Sequence, residues 1–398
     1  MARTGVLSGL RAVELGVWVA GPSATGVMAD WGADVIKVEP PAGDPFRAMF
    51  AATGYSAEIP NAPFELDNRG KRSVVLDLRN DEAREALHRL LETADVFLTN
   101  LRLEPLQRMG LLADDVLARH PRLVYALVTG HGSTGPDVHR PGYDIGVFGA
   151  RAGVVHQLVP AGDAPPPLPR GLGDHFTGLA ALSGILGALW QRQHTGRGQL
   201  VETSLLRSGV YALGWDLAIQ QALGKVAGTV PREEAAQPTA NSYRAGDGKW
   251  FWLLGVEGDR HFPLLVKATA REDLLDDERF ASARSRRHNR RELIAELDRT
   301  FASRPFAEWT ERFDAEDVWW SPVQSPAEVV TDPQAEAAGA WVPVEGGRYR
   351  SVATPVDFSE HPQQSVGRMP ALGADTADVL GEIGYDAAAI KRLNAPRA

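Results

Sequence analysis

The chain has 398 residues, of which 42 are basic, 51 are acidic and none is cysteine, so its formal net charge is −9. This length predicts two domains, or one large domain and one small one. The lack of cysteine excludes disulfides, cysteine-ligated metals and a cysteine nucleophile, so any thiol chemistry must come from a ligand. The acidic balance and a pI near 5.6 argue against nucleic acid as the main partner.

The hydrophobic pattern predicts neither a membrane span nor a secretion signal. The longest apolar run, 178–190, is shorter than the ~18 residues that a span needs. Near the N-terminus, Glu14 interrupts the apolar stretch that a signal peptide would require. We therefore expect a cytoplasmic protein that does not contact a membrane.

Strand and helix patterns alternate through the first 223 residues. Strands are predicted at 11–16, 33–38, 73–78, 95–99, 123–129 and 201–204, and helices at 22–31, 81–94, 174–192 and 205–223. The helix at 174–192 is nearly all apolar, which favours a buried helix. Because β-α-β units favour parallel strands with right-handed crossovers, the pattern predicts an α/β fold built on a parallel sheet.

The pattern changes after residue 223. Residues 224–242 are rich in glycine, proline and charge, and we interpret them as a linker. A hairpin pattern at 243–255 and a charged helical stretch at 271–309 indicate a smaller α+β domain over 243–325. The remaining segment, 326–398, ends in two predicted helices at 374–384 and 386–393. Residues 1–223 then form the larger domain.

The first β-α-β unit invites comparison with dinucleotide-binding folds. Glu39 follows the second predicted strand, where such folds place the carboxylate that binds the ribose. The first turn, from Gly16 to Gly21, lacks the middle glycine that lets the backbone approach a pyrophosphate. NAD is therefore disfavoured, and a plain glycine turn in a doubly wound sheet is the preferred interpretation.

A basic cluster just before the third predicted strand contains Arg69, Lys71 and Arg72. Such a cluster can bind phosphate through charge-assisted hydrogen bonds, and a solvated basic patch is an equally good interpretation. Arg108 follows a later strand, and ligands of open α/β sheets bind beyond the carboxyl ends of the strands.

Asp174 stands at the start of the predicted apolar helix, after Gly171 and Gly173. A carboxylate in this position often only caps the helix. It is also a candidate nucleophile, since the two glycines would let a substrate approach and the free N–H groups of the helix would stabilise an oxyanion. With an ordinary pKa of about 3.9, Asp174 would be ionised at neutral pH without a base. The chain contains neither a G-x-S-x-G nor an H-E-x-x-H motif.

Several segments, taken together, resemble the class III CoA-transferases, the family that contains formyl-CoA transferase, carnitine CoA-transferase and α-methylacyl-CoA racemase. The matching segments include ADWGADVIKVEPP (29–41), DNRGKRSVVLDL (67–78), ADVFLTNLRLEPLQRMGL (94–111), GHGSTGP (130–136), RPGYD (140–144), GLGDHFTGLAALSGILGAL (171–189), YRAGDGKW (243–250) and VWWSPVQSPAEVVTDPQ (318–334). They occur in this order across nearly the whole chain, and the ordered set makes the resemblance specific.

The resemblance implies a Rossmann-like large domain formed by the N-terminal half and the C-terminal segment, a smaller domain, and a homodimer of two interlocked rings. It implies an acyl-CoA donor and a carboxylic acid acceptor as substrates, with no metal and no NAD. Asp174 stands where the family has its catalytic aspartate. The resemblance implies that this carboxylate forms first an aspartyl–acyl anhydride and then an aspartyl–CoA thioester.

The resemblance also implies a CoA site and an acyl site. Tyr143 replaces the histidine of the racemase branch, and a phenol is a poor base at neutral pH, which disfavours racemisation. Val19 replaces a glutamine of formyl-CoA transferase, which disfavours a small, doubly charged acceptor such as oxalate. The CoA-site residues would be Ala20, Arg72, Leu76, Asn100, Arg108, Met109, Arg140 and Tyr143, and the acyl-site residues Trp18, Val19, Trp319 and Trp320.

Alternatives stay open at this point. Core packing explains the tryptophans at least as well as an acyl site does, because tryptophan pairs usually bury area. An acyl-CoA racemase or isomerase of the same superfamily is one alternative function. A non-catalytic nucleotide-binding protein, or an NAD-dependent Rossmann protein, is another. The expected function is that of an acyl-CoA:carboxylate CoA-transferase.

Overall fold

The structure is a computed structural model that describes residues 4–54, 61–347, 349–363 and 366–393. The chain divides into two compact units. The first unit contains the described residues up to 156, from 166 to 226 and after 336. The second unit contains residues 157–165 and 227–336. The second unit therefore extends beyond the predicted 243–325 domain at both ends.

A six-stranded parallel sheet lies at the centre of the first unit. The strands of the chain are β1 (Arg11–Leu15), β2 (Asp34–Glu39), β3 (Arg72–Val75), β4 (Val96–Thr99), β5 (Val124–Thr129), β6 (Leu200–Ser204), β7 (Ser242–Arg244), β8 (Trp250–Leu253), β9 (Trp320–Pro322), β10 (Trp341–Pro343) and β11 (Arg350–Val352). The parallel sheet has the order β3-β2-β1-β4-β5-β6, which is that of a doubly wound fold. The predicted α/β fold with a parallel sheet is confirmed, although β3 ends at Val75 rather than at residue 78.

The helices are less continuous than the sequence pattern predicted. They are α1 (Ala20–Asp30), α2 (Met49–Ala52), α3 (Ala62–Asn68), α4 (Asp81–Glu92), α5 (Leu103–Met109), α6 (Ala113–Arg119), α7 (Leu172–Thr195), α8 (Leu205–Ala212), α9 (Gly214–Leu223), α10 (Gly258–Thr269), α11 (Asp273–Asp276), α12 (Ala283–His288), α13 (Arg290–Phe301), α14 (Phe306–Ala315), α15 (Pro326–Val330), α16 (Pro333–Ala337), α17 (Thr376–Glu382) and α18 (Ala387–Leu393). The predicted helix at 205–223 is divided into α8 and α9, and the stretch at 271–309 contains several short helices. One reason is that Ser282 caps the start of α12 with its side chain and so begins a new helix.

Alternate residues of each strand enter two apolar cores on opposite faces of the parallel sheet. On β4, Phe97 enters one core, and Val96 and Leu98 enter the other. Helices α4, α5, α6, α17 and α18 cover the first face, and α1 and α7 cover the second. The last part of the chain therefore joins the core of the first unit, through Val379 and Leu380 on α17.

Helices α1 and α7 approach each other closely at Gly178. A Cβ on Gly178 would lie 2.1 Å from Ser23 Oγ and 3.0 Å from the carbonyl oxygen of Ala20. Only a residue without a side chain permits this approach. The contact fixes the start of α7 against the start of α1, and both helix starts face the carboxyl edge of the sheet.

Helix α7 is longer and less buried than predicted. It spans 24 residues, and a stripe that includes Ala181 and Ile185 packs on the sheet. Its opposite face exposes Phe176 and Trp190, so the prediction of a buried helix is wrong for that face. A nearly all-apolar sequence does not show which face of a helix is covered. Helix α7 is also long enough to cross a membrane, and an 18-residue stretch of it has a mean hydropathy of 1.2, which is high enough for a membrane span. Core helices of soluble proteins share both properties.

The second unit is built on a three-stranded antiparallel sheet with the order β7-β8-β9. The predicted hairpin is formed by β7 and β8, which pair from Ser242 with Trp252 to Arg244 with Trp250. Helices α10, α11, α13 and α14 contribute to an aromatic core beside this sheet. The large side chains of that core include Tyr243, Phe251, Phe262, Phe301, Trp309 and Phe313.

Candidate active site

The strand order reverses between β1 and β4, and doubly wound sheets bind ligands at the carboxyl edge of this point. The turn after β1, residues 16–19, meets Asn100, which follows β4. Asn100 Oδ1 accepts a hydrogen bond from the Val17 N–H at 2.9 Å, and Asn100 Nδ2 donates to the Val17 carbonyl at 2.7 Å. Asn100 therefore lies at the ligand-binding edge, where its amide group holds the turn in place.

Trp18 is held in a strained backbone conformation within this turn. Its φ is +65°, in the left-handed region that residues other than glycine rarely occupy. The Trp18 N–H donates to Asp44 Oδ1 at 3.1 Å. The indole ring meets the exposed ring of Tyr143 edge-to-face at 5.8 Å, and it lies tilted against the buried ring of Phe46 at 6.0 Å. Such strain costs about 1–3 kcal/mol and is concentrated at functional sites, so Trp18 and Tyr143 mark one wall of the candidate site.

A buried ion cluster lies beneath the same turn. Lys37 Nζ lies 2.6 Å from Glu14 and 3.0 Å from Asp44, and it donates to the Gly16 carbonyl at 3.0 Å. Lys71 Nζ also lies 2.6 Å from Glu14. Burial alone would raise the pKa of Glu14, but the two lysines lower it to about 2. The cluster thus keeps its charges paired and anchors the turn from below.

Sequence reasoning did not identify this ion cluster. Its signal was present, because Glu14 and Lys37 each lie within an otherwise apolar strand pattern. A charged side chain that faces a core requires a partner of opposite charge. The pairing of two such strands in a parallel sheet is therefore a reason to expect an ion pair between them.

The three cations of the predicted basic cluster all have carboxylate partners within the chain. Arg69 pairs with Asp30 at 2.6 Å, Lys71 with Glu14, and Arg72 with both Asp34 and Glu382 at 2.6 and 2.5 Å. The interpretation as a solvated patch is wrong for Arg69 and Lys71, which are buried. A phosphate role for Arg72 stays a prediction, and phosphate would have to displace those two carboxylates.

The remaining residues of the predicted CoA site occupy different environments. Ala20 is buried at the start of α1, and Leu76 is buried in the sheet core, where its side chain is unavailable to a ligand. Met109 is half-buried at the end of α5. Arg108, its neighbour, and Arg140, which pairs with an aspartate at 2.9 Å, are exposed. The exposed members of the predicted set are therefore the two arginines and Tyr143.

Asp174 occupies the third position of α7, within the first turn, where backbone N–H groups have no partner inside the helix. Gly171 precedes the helix with φ of +75°, and the position of a Cβ on it would lie 3.9 Å from Val19 Cγ1. A Cβ on Gly173 would lie 2.6 Å from Phe148 Cγ. Gly173 therefore permits helix packing against Phe148, which corrects the expectation that it gives access to a substrate.

The electrostatic environment of Asp174 also differs from the sequence-based expectation. Burial, followed by the charge of Asp144, raises the pKa of Asp174 from 3.8 to about 7. His175 acts in the opposite direction, and Asp67 raises the pKa further. The expectation that Asp174 is fully ionised at neutral pH without a base is therefore wrong. With a pKa of about 7, about half of the Asp174 side chains are ionised at pH 7.

The two tryptophans of the predicted acyl site that belong to the second unit differ in exposure. Trp320 packs against Phe306 and Phe313 beside the aromatic core, and its Nε1 donates to Asp314 at 2.9 Å. The core-packing interpretation is therefore correct for Trp320. Trp319 is half-exposed, with its ring 4.7 Å from that of His261.

The site contains a carboxylate in a helix first turn and an aromatic wall beside the switch-point turn, and two of the predicted arginines are exposed. Among the described residues, no group of three or more His, Asp or Glu side chains is arranged for a metal ion. Residues 7–376 match the family described as CoA-transferase family III. This chain belongs to CoA-transferase family III. The sequence-based resemblance is thereby confirmed, and the family III enzymes are transferases that act on CoA thioesters.

Named members of family III resemble this chain over nearly their whole length. The (R)-2-hydroxy-4-methylpentanoate CoA-transferase of Clostridioides difficile is 30% identical over 385 residues, which cover 96% of each chain. The cinnamoyl-CoA:phenyllactate CoA-transferase of Clostridium sporogenes is 33% identical over 398 residues, which cover 98% of this chain and 96% of that protein. The crystal structure of a CaiB/BaiF family protein from Brucella suis superposes with a TM-score of 0.84 at 30% identity, covering 96% of this chain and 100% of that one.

Proposed function

We propose that this family III enzyme transfers CoA from an acyl-CoA thioester to a free carboxylic acid, with Asp174 as the nucleophile. The observation that carries the proposal is the half-buried Asp174 carboxylate in the first turn of α7, a helix that Gly171 precedes within reach of Val19 in the switch-point turn. A carboxylate suits this chemistry, because its anhydride and its thioester are both activated acyl compounds.

The reaction proceeds in two matched halves. An Asp174 oxygen attacks the thioester carbonyl, the C–S bond breaks, and CoA leaves as a thiolate. The thiolate then attacks the aspartyl carbonyl of the resulting anhydride and expels the first acid as its carboxylate. The acceptor carboxylate attacks the aspartyl–CoA thioester, and the same two steps in reverse produce the new acyl-CoA and restore Asp174. No net proton is gained or lost.

Residues around Asp174 have separate parts in this scheme. The unpaired N–H groups of the first turn of α7 stabilise the negative oxygen of each tetrahedral intermediate. Trp18 and Tyr143 form the wall along which the pantetheine arm enters. The exposed Arg108 and Arg140 are the cations that meet the CoA phosphates, whereas Asn100 holds the turn that shapes the entrance.

We propose monocarboxylic acids with a branched aliphatic or aromatic body as the substrates. Phe176, two residues after Asp174, is exposed and packs against the buried Phe148 with the rings 5.6 Å apart, and Trp18 lies beside the exposed Tyr143. The two curated relatives are named for 4-methyl-2-hydroxypentanoate and for cinnamoyl and phenyllactate groups, which have such bodies.

A trapping experiment tests the nucleophile. The enzyme is incubated with an acyl-CoA and then with hydroxylamine, and peptide mass spectrometry should locate a hydroxamate at Asp174. The D174A variant should lose both the label and CoA exchange between a thioester and free acids. D114N, which changes an exposed aspartate in the first turn of α6, is the matched control and should retain both. Unchanged turnover in D174A would contradict the proposal.

Two further measurements separate the alternative functions. An acyl-CoA racemase would exchange the α-proton of its substrate into deuterated water without any acceptor acid. A nucleotide-binding or NAD-dependent protein would be stabilised more by NADH than by CoA in a thermal-shift titration. Either result, together with absence of CoA exchange, would replace the transferase proposal.

We also propose a homodimer in which α7, α8 and α9 contribute to the contact between subunits. Tyr211 on α8 is 80% exposed and Trp215 on α9 is 83% exposed, and Trp190 on α7 and Leu223 on α9 are exposed as well. Apolar surface of this extent on neighbouring helices is typical of a protein–protein contact. Light scattering during size-exclusion chromatography should give twice the chain mass, and replacement of Tyr211 and Trp215 by serine should favour the monomer.

A further inference from the structure

His175 follows the proposed nucleophile directly and has a partner that the transfer mechanism does not use. Its Nε2 lies 3.0 Å from Oδ1 of Asp67, a buried residue near the end of α3. The imidazole also lies beside the helix start, since a Cβ on Gly171 would be 3.5 Å from His175 Cε1. The ring is therefore fixed at the first turn of α7 by a carboxylate from a different element.

The charges around this ring are mostly negative. His175 contacts Asp67 from α3, and the charges of Asp174, its neighbour in the helix, and of Asp144, from the loop before the π-helical turn at 145–151, also act on it. Behind Asp67, Lys71 is bound to Glu14 in the buried ion cluster. Burial raises the pKa of Asp67, and the charges of His175 and Lys71 act against that rise. His175 thus acts on Asp174 as a counter-charge, whereas Asp144 and Asp67 act in the opposite direction.

We propose that His175, held by Asp67, is a positioning residue that keeps a positive charge beside the Asp174 carboxylate and so favours its ionised, attacking form. This inference rests on the proposed function, because it concerns the nucleophile of that reaction. His175 exchanges no proton with the substrate and forms no bond to it. Its effect is exerted through the charge and orientation of Asp174.

Two opposing electrostatic influences explain why such a residue is needed. Burial and Asp144 favour the neutral form of Asp174, whereas the charge of His175 favours the ionised form. The hydrogen bond to Asp67 raises the pKa of His175, and burial raises that of Asp67, so both shifts favour a pair that retains its proton. Because the hydrogen bond to Asp67 raises the pKa of His175, the imidazole keeps its charge to a higher pH than an ordinary histidine does.

The pH dependence of thioester formation tests this role. We expect H175Q to move the midpoint for formation of the Asp174–CoA thioester upward by about one pH unit, since a neighbouring opposite charge typically shifts a carboxyl pKa by 1–3 units. At pH 6 the variant would be about tenfold slower than the wild type, and the two rates would converge above pH 9. H175K, which restores the charge, should return the midpoint toward that of the wild type.

Two further variants complete the design. D67N removes the partner of His175 and also removes the Asp67 charge, which itself raises the pKa of Asp174. Because these two effects oppose each other, its upward shift of the midpoint should be smaller than that of H175Q. H194Q changes an exposed histidine in the last turn of the same helix, about 30 Å away by helix rise, and should leave the profile unchanged. Thermal unfolding of each variant confirms that it is folded before its rates are compared.

The outcomes separate this inference from the proposed function. If the midpoint of H175Q is unshifted, the inference is overturned, whether the rate is normal or is reduced equally at every pH. The transfer mechanism would still stand in that case, provided that Asp174 is labelled. Failure of H175K to restore the midpoint would also overturn it, because charge would then not be the cause. Absence of any label on Asp174 in the wild type would instead refute the proposed function.

Discussion

Replacement of Asp174 by asparagine should abolish CoA transfer and also stabilise the folded protein above pH 7. Asparagine has nearly the same shape as aspartate but cannot ionise. Burial, with the charge of Asp144, raises the pKa of Asp174 from 3.8 to about 7, so between these values the folded chain retains a proton that the unfolded chain has released. The free energy of unfolding of the wild type therefore falls as the pH rises through this interval.

The magnitude follows from the size of the pKa shift. A rise of about three pH units corresponds to ~4 kcal/mol at ~1.36 kcal/mol per unit. Asp174 is only half-buried, so water screens part of this cost. We expect D174N to be about 1–3 kcal/mol more stable than the wild type at pH 8, and the difference to vanish near pH 4. The enzyme would thus lose activity and gain stability through one change, as active-site substitutions often do.

Urea unfolding at a series of pH values measures this difference. All samples are compared at one chain concentration, because association of subunits adds to the apparent stability. D114N is the matched control, since Asp114 lies in a helix first turn but is exposed. Loss of its favourable interaction with the helix dipole should destabilise the protein by ~0.3–1 kcal/mol, the opposite sign. Equal stability of D174N and the wild type at pH 8 would refute the reasoning.

Three other results are expected. The transfer rate should rise with pH and level off above about 7, because only ionised Asp174 attacks; a flat initial-rate profile from pH 5 to 8 would contradict this. G178A should lower the free energy of unfolding by about 1–3 kcal/mol, since the new methyl would meet Ser23 Oγ, and S23A in that background should recover part of the loss in thermal unfolding. R108A should raise the KM for acyl-CoA several-fold without loss of stability. R72A breaks two ion pairs, so it should lower the melting temperature and leave the KM unchanged. A raised KM for R72A would show instead that the Arg72 guanidinium contacts CoA.

The parallel sheet could be predicted because its signals are local. Each strand of the alternating pattern is a short apolar run bounded by turn residues, and the observed β2 and β4 begin within one residue of their predicted starts. Helix continuity was harder to predict, since a single residue such as Leu213 separates α8 from α9 without proline. Periodicity shows that a segment is helical more reliably than it shows where the helix is interrupted.

The candidate site was predicted in its residues but not in its electrostatics. The sequence presents Arg69, Lys71 and Arg72 as three cations, and nothing local shows that Glu382, 310 residues after Arg72, supplies a partner carboxylate. In the same way, the burial of Asp174 and its nearness to Asp144 arise from the packing of separate segments. Properties that depend on distant partners require the folded chain, even where the residue itself is correctly identified.

The raised pKa of Asp174 is consistent with its proposed role as a nucleophile. Nucleophilicity rises with basicity, with a slope of about 0.5 measured for thiolates, and a comparable slope would make a carboxylate of pKa about 7 roughly 30-fold more reactive than an ordinary one. At pH 7 only about half of the Asp174 side chains are ionised, which lowers the rate of attack by a factor of about two. Burial therefore favours attack as long as it does not move the pKa far above neutral pH. That limit is where a positive charge at His175 matters, because at a fixed pH the ionised fraction falls about tenfold for each further unit by which the pKa of Asp174 rises.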